Sequence, residues 1–111
     1  MKSKGEQLRS YVYSTDCAVA LLCVLLKGKT CEAYNIGDPD FACTIRELAE
    51  ALAKAGNVEI EFDLPTKAEA KGYNKMTCSA LNCEKLKSLG FEATYSLGGA
   101  AEETVLCMRE A

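Results

Sequence analysis

The stretch that most limits the fold is Cys17–Leu26, CAVALLCVLL, which carries no charged side chain. Asp16 stands just before it, where a carboxylate can cap a helix by accepting from free backbone N–H groups. Gly28 follows Lys27, where glycine commonly ends a helix. A helix that is apolar nearly all round has no face to give to water, so it is expected to be buried on several sides. The chain has 111 residues, enough for one domain and a modest core.

The flanking segments carry their own signals. Tyr11–Tyr13, inside Ser10–Thr15, reads as a short strand, and Cys31–Ile36 as a second one ending in a Gly37–Asp40 turn cluster. Thr44 and Glu47 have capping-box spacing. Ile45, Leu48, Ala49, Leu52 and Ala53 then recur at helical spacing as far as Gly56, which predicts an amphipathic surface helix. Val58, Ile60 and Phe62 alternate with Glu59, Glu61 and Asp63, the pattern of a strand with one wet face. Pro65–Thr77 is one long irregular segment with Lys67, Lys71 and Lys75 around Gly72-Tyr73. Long loops of this kind are often functional. A short helix is expected over Asn82–Leu89, with Asn82 as its cap, Gly90 as its stop and Phe91 packing back on it. A last helix opens after Ser96, with Leu97, Ala101, Val105 and Met108 along one stripe. The expected fold is a small single α/β domain, residues 1–111, with short strands and about four helices.

Charge and cysteine usage narrow the function. The net charge is −3 and the thirteen Lys and Arg are dispersed, so no nucleic-acid surface is expected. The longest apolar block is too short for a membrane span, and the polar start MKSKGEQLRS has no signal region behind it, so the expected location is the cytoplasm. Seven cysteines occur with no Cys-x-x-Cys and no histidine. That favours reduced thiols acting as small buried hydrophobes over a metal site or disulfide scaffold. Cys78 and Cys83 are the pair to inspect first. Without histidine, a hydrolytic dyad or triad has little to work with.

Five pieces in order resemble one family. Gly5-x-Gln7-x-Arg9-Ser10-Tyr11-x-Tyr13, with Asp16 opening a helix, is the first, and Ala33-Tyr34-Asn35-Ile36-Gly37 the second. Thr44-Ile45-Arg46-Glu47-Leu48-Ala49 follows. Leu81-Asn82-Cys83-Glu84-Lys85-Leu86 with Leu89-Gly90-Phe91, and Ser96-Leu97-Gly98-Gly99 with Glu103-Thr104, complete the series. Together they resemble the part that follows the catalytic core in extended short-chain dehydrogenases/reductases, the NAD-dependent nucleotide-sugar epimerases and dehydratases. The resemblance implies a front portion with a Rossmann fold, a glycine-rich NAD(P) loop and a Tyr-x-x-x-Lys pair, in which the nearby cation lowers the tyrosine pKa. No tyrosine here has lysine four residues on, and Gly98-Gly99 runs into Ala-Ala-Glu-Glu, so neither part is present in these residues.

The resemblance therefore implies a C-terminal, substrate-binding portion that binds no cofactor by itself, with NAD(P) belonging to the full-length family. It points to Arg9 as a contact for the diphosphate of a nucleotide-sugar, since a planar donor fork matches phosphate oxygens. Lys71 and Lys75, beside Tyr73, stand where the family commonly has a second basic contact, an arginine. Each has an ordinary alternative: Arg9 as a solvated charge beside a strand, the lysines as loop charges. Glu59, Glu61 and Asp63 read as a wet strand face, not as acid/base groups. Two functions remain in view. One is the nucleotide-sugar side of an epimerase or dehydratase, catalytically silent alone, from a separately cloned domain or a truncated gene. The other is a non-catalytic module in which the Cys17–Leu26 helix and the Ala33–Ile36 strand lean on a Rossmann half or pair as a homodimer.

Overall fold

A computed structural model describes residues 1–72 and 76–111. Three short strands, β1 (Leu8–Ser10), β2 (Ala42–Thr44) and β3 (Cys78–Ser79), form one sheet. Four helices accompany it: α1 (Ser14–Lys27), α2 (Ile45–Gly56), α3 (Glu84–Lys87) and α4 (Leu97–Glu110). Single 3-10 turns lie at Pro39–Phe41 and Glu69–Gly72. The small α/β architecture agrees with the sequence.

β1 is the middle strand. It pairs antiparallel with β2, Arg9 opposite Cys43, and parallel with β3, Arg9 opposite Ser79. The expected strand at Tyr11–Tyr13 is thus displaced to Leu8–Ser10. Beyond Ser10 the ladder ends, because the Tyr11 carbonyl accepts from the Asp38 N–H instead. The two tyrosines serve as packing groups: the Tyr11 ring lies 6.1 Å from Phe41 and the Tyr13 ring 4.4 Å from Tyr95.

Two further expected strands do not form. At Cys31–Ile36 the chain turns on Cys31 at φ +62°, and Glu32 N–H bonds back to the Lys29 carbonyl. None of the described strands pairs with this segment, and Asn35 donates its amide to the Asn82 carbonyl at 3.0 Å. Alternation at 58–62 likewise finds no ladder: Val58 is mostly exposed, and Arg46 lies over the Phe62 ring at 5.2 Å. Period-two patterning makes a strand only where a partner edge exists.

The helices follow their local signals more closely. The Thr44/Glu47 capping box is complete, with Glu47 N–H donating to the Thr44 hydroxyl at 3.1 Å and Thr44 N–H to the Glu47 carboxylate at 2.7 Å. Asn57 ends α2 in the left-handed region. Ser96 caps α4 by accepting from Gly99 N–H. α2 packs on α4. The expected Asn82–Leu89 helix is one turn long, with Cys83 at the N-cap position and no side-chain cap; Asn82, one residue before it, accepts from Glu84 N–H at 3.0 Å, and Gly90 takes φ +87° beyond its end. Phe91 does fold back, joining Leu86 and Ala20 in one apolar cluster. A second cluster holds Phe41, Cys43 and Ala100.

α1 differs from its expectation at both its cap and its surroundings. The helix starts at Ser14, with Tyr13 at the N-cap position and no side-chain cap. Asp16 lies inside the first turn, 3% exposed, so it is not the cap. Only one side of α1 is covered, through Ala20, Cys23 and Val24. Leu25 and Leu26 remain 77% and 80% exposed.

Candidate functional site

Arg9 projects from the central position of the sheet. Its guanidinium donates to the Gln7 side chain at 2.9 Å, to the Leu8 carbonyl at 3.3 Å and to the Met76 carbonyl at 3.5 Å. These contacts account for three of the five N–H donors of a guanidinium. Leu8 N–H also donates to the Thr77 carbonyl at 2.9 Å. The end of the lysine-bearing segment is therefore pinned to β1 beside Arg9. Lys71 closes the 3-10 turn Glu69–Gly72 and is exposed. That turn is built like a helix start: Thr66 N–H and hydroxyl both donate to the Glu69 carboxylate, at 2.8 and 2.9 Å, and hold its pKa below the usual range. Tyr73 and Lys75 lie outside the described residues.

Sequence reasoning missed the cavities, whose lining comes from separated segments. One of about 510 Å³ lies between Asp38–Asp40 and Lys87–Ser96. Asp38 is buried there and accepts from Asp40 N–H at 3.0 Å. The cavity adjoins the N-terminus of α4, an end that attracts anions, but Asp38, Asp40 and Glu92 line it against a single Lys87. That lining opposes a pyrophosphate, and with no third glycine beyond Gly98-Gly99 the residues present do not fit a dinucleotide cradle. A second cavity, about 310 Å³, is mostly apolar and is walled by Tyr11, Tyr13, Phe41, Leu48 and Leu52 with Thr104.

Among the described residues, Tyr11, Tyr13, Cys43 and Cys83 have their pKa values raised. Burial pushes the Tyr11 phenol up, with Cys43 adding to this and Arg9 opposing it. Tyr13 is also raised, by burial first, against a lowering hydrogen bond from Thr104. Both shifts run opposite to that of a phenol prepared for proton exchange. All seven cysteines are free thiols, with Cys43 and Cys83 buried and Cys31, Cys78 and Cys107 exposed, so the expectation of buried thiols holds only in part. Burial raises the Cys43 and Cys83 pKa values, which keeps both as poor nucleophiles. Among the described residues no three Cys, Asp or Glu side chains converge as a metal site requires, and no helix is long and apolar enough to cross a membrane.

Fold and sequence define what the chain is similar to: the C-terminal part of nucleotide-sugar dehydratases and epimerases of the extended short-chain dehydrogenase/reductase type. It is 42% identical over 62 residues to the dTDP-D-glucose 4,6-dehydratases of Bos taurus and Homo sapiens, a match covering 53% of this chain and 17% of theirs. The structure of the Bacillus anthracis dTDP-glucose 4,6-dehydratase, determined with NAD, superposes with a TM-score of 0.77 at 26% identity over 97% of this chain and 33% of that one. The UDP-N-acetylglucosamine 4-epimerase of Bacillus cereus shares the fold, with a TM-score of 0.73 at 24% identity over 98% of this chain and 37% of that one. The chain thus spans about a third of the length of these solved structures. No protein-family model matches the sequence.

Proposed function

We propose that this chain is the nucleotide-sugar side of an NAD-dependent epimerase/dehydratase-type enzyme, that it contacts the substrate diphosphate, and that it carries no redox chemistry and no cofactor by itself. The observation that carries this is the placement of Arg9. Its guanidinium sits on the central strand, steadied by Gln7 and the Met76 carbonyl, where the described chain resumes after the lysine-bearing segment. Arg9 supplies the phosphate fork, while Lys71 and Lys75 add point charges. The missing Tyr-x-x-x-Lys pair and the raised pKa values of Tyr11 and Tyr13 support the lack of independent catalysis. Turnover then needs a Rossmann half, and the working location is the cytoplasm.

The test is an NMR titration of the 111-residue chain with a UDP-sugar and a dTDP-sugar, with NAD as the control. Shifts confined to Arg9 and residues 71–75, seen with the sugar nucleotides alone and lost in Arg9→Ala, are expected. Arg9→Lys should recover only part of the response, since lysine lacks the fork. A silent spectrum with every ligand overturns the diphosphate contact, and NADH formation by the pure chain overturns the lack of catalysis.

A second reading, a non-catalytic module that works by association, is favoured by the bare apolar side of α1.

A further inference from the structure

We infer that Gln7 is a positioning residue for Arg9, and that the Met76 carbonyl is a placeholder which a phosphate oxygen displaces from the same guanidinium. The inference rests on the diphosphate reading above and divides the work at that contact. Both groups bond one atom, Nη2 of Arg9, and they bond it unequally. The Gln7 side-chain oxygen accepts at 2.9 Å and the Met76 carbonyl at 3.5 Å. The first is an ordinary N–H···O distance, whereas the second lies beyond the usual range of about 2.7–3.2 Å. Nη2 carries two hydrogens, so one is anchored and the other only loosely held.

The anchor is itself well fixed. Ile45 N–H donates to the Gln7 carbonyl at 3.1 Å and Leu8 N–H to the Thr77 carbonyl at 2.9 Å, so both polar groups of the Gln7–Leu8 peptide are bonded. In an extended segment residues i and i+2 share a side, which brings the Gln7 amide beside the Arg9 guanidinium. A guanidinium only donates, so Gln7 must present its oxygen and cannot flip its amide without losing the bond. The anchoring bond lies within Gln7–Arg9 and needs no surface that another domain or chain could cover. For the loose hydrogen a phosphate oxygen is the better partner, because hydrogen bonds between ionised groups are shorter and stronger than one to a neutral carbonyl. Exchanging the Met76 bond while keeping the Gln7 bond leaves the long Arg9 side chain already ordered when the ligand arrives, and such preorganisation raises affinity. Neutrality matters too, since a carboxylate at position 7 would hold the guanidinium but compete with phosphate for it.

The test is NMR on the 111-residue chain with dTDP-glucose as the probe. Without ligand, rotation about the Cζ–Nε bond of Arg9 should be slow enough to give two resolved Nη signals, which merge in Gln7→Ala and in the shorter Gln7→Asn. Gln7→Ala should weaken dTDP-glucose binding by roughly five- to tenfold, and should change nothing further in an Arg9→Ala background. Gln7→Glu should keep the two Nη signals yet weaken binding at least as much, a split that a merely structural role would not produce. On binding, the Met76 carbonyl carbon should shift while the Gln7 side-chain carbonyl carbon stays near its ligand-free position. Nη signals indifferent to Gln7→Ala, equal affinity in the parent and Gln7→Ala, or a Met76 carbonyl that does not respond overturns the inference and leaves the diphosphate contact standing. No binding by the parent overturns both.

Discussion

Asp16 shows how much one carboxylate can hold. It is 3% exposed, and its two oxygens accept from Thr94 N–H at 3.1 Å, the Thr94 hydroxyl at 2.5 Å and Tyr95 N–H at 3.0 Å. It ties the first turn of α1 to a segment whose Ala93 packs on one core cluster and whose Tyr95 packs on the other. Burial alone would raise its pKa, but the Thr94 hydroxyl and the two backbone N–H groups together hold it below the ordinary value. Asp16→Asn places an amide donor against those donors and should cost about 2–3 kcal/mol in urea unfolding at pH 7. The folded pKa is the lower one, so the charged form's contribution is complete above the unfolded value near about 4 and is lost as pH falls through the folded pKa. The gap between parent and Asp16→Asn should therefore narrow in urea melts taken below that pH, and a gap that widens on acidification would contradict the assignment. The sequence shows a carboxylate at a helix start. It cannot show partners 78 and 79 residues further on.

At the scale of elements, what the sequence reveals depends on how far apart the determining residues lie. The α2 cap needs only Thr44 and Glu47, three residues apart, and both of its bonds form. Thr44→Ala should remove about 1 kcal/mol and lower the thermal midpoint by about 4–6 °C, measured by circular dichroism. Gly90, at φ +87°, is as local. The strands are another matter. Cys31–Ile36 carries β patterning but pairs with none of the described strands. Val58–Phe62 is met at its end by Met1, whose amine donates to the Glu61 carbonyl and whose carbonyl accepts from Asp63 N–H, too little for a ladder, while β1 forms three residues before the tyrosines because β2 and β3 meet it there. The candidate site divides the same way. Arg9 is legible as a residue, and its proposed role comes from the resemblance alone. Its bond to Gln7 is two residues away, but its bond to the Met76 carbonyl depends on a 67-residue closure and has no sequence signal.

The whole molecule is thin for its length. Its radius of gyration is 16.5 Å and its extents are 48 × 36 × 22 Å, whereas a compact domain of this size has a radius of gyration near 13 Å. Two small clusters sit in one layer, with α1 covering the first on one side and facing water on the other. The two sides should answer differently to truncation. Leu86 is fully buried against Ala20 and Phe91, so Leu86→Ala should cost about 2–5 kcal/mol at any protein concentration. Leu26 touches the interior little, and in dilute solution Leu26→Gln should change stability by less than about 0.5 kcal/mol. Urea melts of the two variants read both sides at once, and a loss in Leu26→Gln as large as that in Leu86→Ala would mean that α1 is packed on both faces in the folded chain.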